Sequence, residues 1–223
     1  GHVYFDLYHT LGAGPSALLS SLKSSPFSDF QLDELISQQR GAMIVAPHLS
    51  NFDLVGLALA QRGLRLNVLA YANPTSGYNL QNDIRLQGGI NLMPIDVSAL
   101  RKALEALRRG ELVVTGIDRP DPYGGGELLN FFDQPARLPV GHVRLAMQAN
   151  VPVIVASAEY RPTDGNYAFH IARRLDMEHV GSRQQDTLHN AQRVLNVVQD
   201  LIAARPEQWL MFYPVWGENP AET

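Results

Sequence analysis

Apolar residues follow two rhythms along this chain. Short unbroken runs, AMIVAP (42–47), LRLNVLAY (64–71), INLMPI (90–95), ELVVTGI (111–117), ELLNFF (127–132) and VPVIVAS (151–157), have the length and composition of buried strands, and NYAFHIARRL (166–175) alternates as a strand does. Between them apolar residues recur at helical spacing in SNFDLVGLALAQRG (50–63), YNLQNDIRLQGG (78–89), VSALRKALEALRRG (97–110), VGHVRLAMQAN (140–150) and QQDTLHNAQRVLNVVQDLIAARP (184–206). Gly63, Gly110 and Pro206 mark helix ends, and Ser98 lies near a helix start. Upstream, VYFDLYHTL (3–11) and SALLSSL (16–22) read as helical entry segments, and DFQLDELISQQR (29–40) as a helix capped by Asp29 and closed by Gly41. DRPDPYGGG (118–126) cannot hold regular structure and is a loop. The expectation is a single α/β domain over residues 1–223. Its entry segment is helical (1–40), and its mixed, mostly parallel central sheet has about six or seven strands with helices on both faces.

Composition narrows the function. The 223 residues suffice for one well-buried core. A net charge of −4 argues against nucleic acid as the main partner, and the basic stretch RKALEALRR (101–109) reads as a solvated helix face. The absence of cysteine removes disulfides, thiolate nucleophiles and Cys-ligated metals. None of the seven histidines forms an H-x3-H pair, so no metal is expected. No stretch approaches the ~20 apolar residues that span a bilayer. The chain opens on GHVYFDLY without an initiator methionine, which leaves room for a membrane anchor upstream.

The chemistry concentrates in PHLSNFDLVGLAL (47–59). His48 falls at the carboxyl end of a buried strand, the edge where α/β sheets bind ligands, and Asp53 falls in the first turn of the next helix. A neutral imidazole suits proton abstraction near neutral pH, and a carboxylate beside it fixes the tautomer and stabilises the imidazolium. The same residues also read as local structure: Ser50 as N-cap with Asp53 three places on makes a capping box.

Four blocks in order decide between these readings. GAMIVAPHLSNFD (41–53) carries H-x4-D straight after a strand. GIDRPDP (116–122) is an acidic block after another strand, and NFFDQPARLPVGHVRLAMQANVPVIVAS (130–157) joins paired aromatics, a Pro-Gly helix start and an apolar strand. RPEQWLMFYPVW (205–216) closes the series. Together, over residues 41–216, they resemble the lysophospholipid-acyltransferase-like superfamily, in the branch of the lipid A lauroyl/myristoyl acyltransferases and the phosphatidylinositol mannoside acyltransferases.

The resemblance implies transfer of a fatty acyl group from a thioester, acyl-CoA or acyl carrier protein, to a hydroxyl of a lipid or glycolipid, with no other cofactor. The enzyme would work peripherally at the cytoplasmic face of the inner or plasma membrane. His48 would be the general base for direct attack, without an acyl-enzyme. Asp53 or Asp118 would be its acid partner, since in the mannoside enzymes an acid near Asp118 pairs with the histidine. Arg85 and Arg119 would hold an oxyanion or a phosphate, and Ser50 and Asn51 lie close enough to join the substrate site. The lipid A branch often carries a second acid where this chain has Pro120. An apolar groove for the acyl chain is expected around Phe52, Leu54, Tyr71 and Leu92. Two other classes compete. One is a lipid-binding module on the same fold without catalysis. The other is a haloacid-dehalogenase-type hydrolase with Asp6 of YFDLYHTLG (4–12) as nucleophile, which requires a buried strand just before Asp6.

Overall fold

The run AMIVAP supplies the middle strand of a seven-stranded sheet. The computed structural model describes residues 2–24, 33–34, 40–72, 76–120 and 125–217. In chain order these form α1 (His2–Gly12), α2 (Pro15–Ser21), β1 (Leu22–Ser24), β2 (Ala42–Val45), α3 (Phe52–Gln61), β3 (Leu66–Ala70), α4 (Ser76–Gln87), β4 (Asn91–Pro94) and α5 (Val97–Arg108). There follow β5 (Leu112–Thr115), β6 (Glu127–Phe131), β7 (Gln134–Leu138), α6 (Gly141–Ala149), β8 (Val153–Arg161), β9 (Asn166–Leu175), α7 (Arg183–Ala204) and a 3-10 turn, Pro206–Gln208. The sheet order is β1-β9-β8-β2-β5-β3-β4. Strands β8, β2, β5, β3 and β4 run parallel, while β9 is antiparallel to β8 and carries β1 parallel to itself.

The unbroken apolar runs are explained by burial on both faces. In β2, Ala42 and Ile44 pack into one cluster with Leu54, Val55 and Leu57 of α3, while Met43 and Val45 pack into the other with Ala103 of α5, Val143 of α6 and Val194 of α7. All four strand residues are buried, so neither face can be polar.

The sheet has the expected size but not the expected membership. ELLNFF leaves it and pairs with β7 as a separate two-stranded hairpin. The turn residues Phe132 and Asp133 both have positive φ, 53° and 58°, as a two-residue hairpin turn of the primed type requires. Neither is Gly or Asn, and QPARL buries only Ala136 and Leu138, so the sequence carries little sign of the turn or of β7. The hairpin's backbone is held by α7 instead of by more strands. The Asn130 N–H donates to Gln192 Oε1 at 2.9 Å and the Phe132 N–H to Gln199 Oε1 at 2.7 Å. The missing strand comes from Leu22–Ser24, which continues SALLSSL and was read there as helix.

Helix α1 is a helix through Asp6, so the strand that a nucleophilic Asp6 requires is absent. Asp6 accepts a hydrogen bond from the Tyr167 hydroxyl at 2.5 Å. The helix expected at 29–40 lies outside the described residues apart from 33–34 and 40. Helix α5 is capped by Asp96, which accepts from the Ala99 N–H at 2.6 Å, and Ser98 is its second residue. Among the described residues no helix is long and apolar enough to cross a membrane.

Candidate active site

His48 stands three residues past β2, and Asp118 three residues past β5. The two strands are adjacent and parallel, with Val45 opposite Thr115. Equal overhangs from a matched register put the two side chains level above the carboxyl edge of the sheet. His48 Nδ1 lies 2.7 Å from Asp118 Oδ1, and the His48 backbone N–H donates to Asp118 Oδ2 at 2.9 Å. Asp118 has no exposed surface, whereas the His48 side chain is 24 % exposed.

Burial of a carboxylate normally favours its neutral form, but here the His48 charge, its hydrogen bonds and the Trp209 N–H outweigh that, so the Asp118 pKa is lowered. Burial pulls His48 down; Asp118, by charge and hydrogen bond, more than reverses this, and the net pKa is raised. Arg119 opposes the rise and Asp53 adds slightly to it. An ionised Asp118 can only accept, which assigns the proton on neutral His48 to Nδ1 and leaves Nε2 free as a base.

A second strap holds the pair from the C-terminal side. Trp209 Nε1–H donates to Asp118 Oδ2 at 2.8 Å. The Leu210 N–H donates to the His48 carbonyl at 2.8 Å, and the Ser50 N–H to the Gln208 carbonyl at 2.8 Å. Gln208 in turn clamps the Tyr160 backbone of β8 through both ends of its amide, at 2.8 and 3.0 Å. Trp209 also belongs to an aromatic cluster with Phe131, Phe132 and Trp216. The paired aromatics of block three and the Pro-Glu-Gln-Trp of block four therefore meet at Asp118.

The capping box predicted at Ser50 does not form. Asn51 caps α3, accepting from the Leu54 N–H at 3.2 Å, while its amide donates to the Val3 carbonyl at 2.9 Å. Ser50 takes up a left-handed φ of 54° to turn the chain from the His48 loop into the helix, a conformation costing a non-glycine residue about 1–2 kcal/mol. Its hydroxyl is buried without a hydrogen-bond partner among the described residues. Asp53, freed from capping, accepts from Arg85 Nε at 2.7 Å, and Arg85 Nη1 donates to Asn82 Oδ1 at 3.0 Å. Arg85 is 7 % exposed and fixes α4 against α3. Of the two acids, Asp118 touches the His48 ring; Asp53 holds the arginine beside it.

A cavity of about 570 Å³ opens around His48. Its lining divides by chemistry into an apolar arm, with Ile44, Val55, Leu59, Leu66, Val68 and Phe169 of the cluster packed on α3, and a polar arm, with Arg119, Glu127, His142 and Arg144. Phe52 and Tyr71 border the cavity as expected, but Leu54 and Leu92 pack into the apolar cluster beside it. Asp53 and Arg85 reach its wall, whereas Ser50 and Asn51 do not. Arg119 lies across the Tyr213 ring, 3.9 Å from its centroid. Among the described residues no group of three His, Asp or Glu side chains is placed to hold a metal.

Sequence reading did not single out Gly116, Trp209 or His142 as individual residues. Gly116 leaves room for the His48 ring: a Cβ there would sit 2.7 Å from His48 Cε1 and 3.3 Å from Nδ1. Gly116→Ala should displace the ring towards the cavity and lower kcat about 10–100-fold, the usual cost of a misplacement near 1 Å, with little change in Tm. A variant with wild-type kcat would show that the ring position is not this tightly set. His142, in the first turn of α6, is 3 % exposed; burial lowers its pKa to about 3, against the opposing effect of a hydrogen bond with the Pro139 backbone.

Two phosphatidylinositol mannoside acyltransferases of Mycobacterium tuberculosis, from strains CDC 1551 / Oshkosh and ATCC 25618 / H37Rv, are each 26 % identical over 196 residues. The match takes in 86 % of this chain, which spans 60 % of the length of those relatives. The crystal structure of the 1-acyl-sn-glycerophosphate (LPA) acyltransferase of Thermotoga maritima matches 85 % of this chain and 75 % of its own. At 20 % identity and a TM-score of 0.45 that likeness is too distant to carry the assignment. The model of the bacterial lipid A biosynthesis acyltransferases matches residues 29–218, most of the sequence, and the chain belongs to that family.

Proposed function

We propose that this protein transfers a fatty acyl group from an acyl thioester to a hydroxyl of a glycolipid. The observation that carries the reading is a His48–Asp118 dyad whose histidine lines a cavity with both apolar and polar walls. The apolar arm suits an acyl chain, whose burial contributes about 0.8 kcal/mol per methylene. With the thioester beside His48, an acceptor hydroxyl attacks its carbonyl carbon as His48 Nε2 takes the hydroxyl proton. Asp118 holds the ring and stabilises the imidazolium. The tetrahedral intermediate expels the thiolate, which receives the proton from His48, and the products are an ester and a free thiol. Arg119, whose charge is felt at His48, lines the same cavity and would stabilise the oxyanion. Asp53 and Arg85 act by fixing α4 against the start of α3. No acyl-enzyme is required.

The glycolipid acceptor is supported by the family and by the mannoside-acylating relatives. Contact with a membrane surface is supported by exposed Tyr4, Phe5 and Tyr8 on α1 and Leu80 and Leu86 on α4. The two helices adjoin at the α3 N-terminus, where Asn51 bonds Val3 and Gln81 bonds Tyr4.

The test is thiol release and product mass with palmitoyl-CoA, or palmitoyl carrier protein, and vesicles containing phosphatidylinositol mannoside or a lipid A precursor. Thiol release should rise with the glycolipid, which gains one acyl chain. Thiol release from neither donor, or release that no glycolipid accelerates, would overturn the reading.

A further inference from the structure

Asp6 and Tyr167 form a polar contact that the transfer step does not use, and neither residue lines the cavity. The Tyr167 hydroxyl, on β9 and 3 % exposed, donates to Asp6 Oδ2 of α1 at 2.5 Å. Asn51, 2 % exposed, hydrogen-bonds the same hydroxyl, and its amide donates to the Val3 carbonyl at 2.9 Å. Val3 and Asp6 lie about one turn apart on α1, so Asn51 and Tyr167 grip that helix at two levels. Apolar packing of α1 needs none of these bonds. Polar groups withdrawn from water and joined to one another rigidify whatever they connect.

The network ends close to the catalytic loop, because Asn51 is three residues past His48. Between them Ser50 has its left-handed φ of 54°. A residue keeps such a conformation only where its surroundings leave it no other. From one side the Gln208 carbonyl holds the Ser50 N–H, and the Leu210 N–H holds the His48 carbonyl. On the other side the restraint is Asn51. Capping α3 requires only its bond to the Leu54 N–H. Its further bonds bring α1 and β9 to bear on the loop.

Resting on the acyl-transfer reading, we propose that Asp6 and Tyr167 are positioning residues: through Asn51 they tie α1 to the His48 loop and hold Ser50 in the strained turn that presents the imidazole. Neither touches substrate or moves a proton. Helix α1 is thereby a working part of the site, although it ends before residue 29, where the match to the family model begins.

The test uses Tyr167→Phe, Asp6→Ala and Asp6→Asn in the intact protein, with Tyr167→Phe also made in a Ser50→Gly background. Thiol release from palmitoyl-CoA with glycolipid vesicles reads kcat and KM, and hydrogen exchange reads the amides of residues 48–51. Tyr167→Phe should lower kcat about tenfold, the lower end of the cost of a displacement near 1 Å. Asp6→Ala breaks the same link from the α1 side and should do likewise. KM for the donor should stay within about twofold, since no member of the network lines the cavity. Asp6→Asn keeps an acceptor for the Tyr167 hydroxyl and should recover most of what Ala loses. Glycine takes a left-handed φ without steric cost, so in the Ser50→Gly background Tyr167→Phe should cost less than about threefold. The loop amides should exchange about tenfold faster in Tyr167→Phe, and Ser50→Gly should largely remove that difference. A contact that serves only fold stability predicts a lower Tm with unchanged kcat, or the same loss of kcat in both backgrounds. Either result would overturn the proposal, and so would loop exchange that Tyr167→Phe leaves unmoved. Failure of the acyl-transfer reading shows separately, as absence of His48-dependent thiol release in the wild type; the exchange measurement then still decides whether the network holds the loop.

Discussion

His48→Ala is expected to lower the rate of acyl transfer by about 10²–10⁴-fold, the range that a positioned general base contributes. A hydroxyl is a poor nucleophile towards a thioester until its proton leaves. In this cavity Nε2 of His48 is the basic atom of the dyad, and Asp118 is occupied by Nδ1, the His48 N–H and the Trp209 indole. The fold should survive, because the buried Asp118 keeps the backbone and indole donors. Loss of the imidazole partner should still cost about 1–3 kcal/mol, read as a fall in Tm. KM for the acyl donor should change little, since the apolar arm is untouched. A folded His48→Ala protein that retains turnover within tenfold of wild type would remove the general-base role, and His48→Asn, which keeps a polar side chain, should be equally inactive.

Asp118→Asn should lower kcat by a similar factor, about 10²–10⁴, and should also move the pH profile. In the wild type the rate is expected to rise with pH as His48 loses its proton. Because Asp118 raises the His48 pKa, the midpoint of that limb should lie above the 6.5 of an unperturbed imidazole. Without the carboxylate, burial and Arg119 act almost unopposed, and the midpoint should fall below it. The profile of kcat/KM between pH 5 and 9 reads this directly, and an unmoved limb would show that Asp118 does not set the His48 charge. Stability follows another sign. The raised His48 contributes stability fully below its unfolded value and loses it as pH climbs through the folded pKa. The lowered Asp118 contributes above its unfolded value of 3.8 and loses that as pH falls through the folded one. The pair therefore stabilises the fold most in weakly acidic solution, where His48 is charged and inactive as a base. Asp118→Asn should flatten Tm against pH over that window.

Much of the architecture is legible in the sequence wherever both faces of a strand are covered. β2, β5 and β8 are unbroken apolar runs because α3 covers one face and α5, α6 and α7 the other. Strands β1 and β7 escape that logic. The first is three residues continuing a helical pattern, and the second buries two of its five residues around a turn without glycine. The position of His48 is legible for the same reason as β2: a histidine just past a buried strand of a parallel sheet stands at the ligand edge. The sequence also places the N-cap one residue early. Ser50 has the right chemistry, but the chain needs a left-handed residue there to swing His48 over the sheet, and Asn51 caps the helix instead.

By itself the sequence determined the α/β class, the strand that presents His48 and the four blocks that mark the family, because those depend on local apolar periodicity and on residues close together in the chain. Three matters were decided only by tertiary structure. The parallel register of Val45 with Thr115, across seventy positions of chain, made Asp118 the partner of His48 and turned Asp53 towards Arg85. The return of the C-terminal segment past the His48 loop made Trp209 a donor to the buried carboxylate. The meeting of α6 with the sheet edge set His142 into the polar arm of the cavity. The first two depend on hydrogen-bond distances between residues remote in sequence, and a side chain's partner at 2.7 Å follows from strand order and register, not from spacing along the chain.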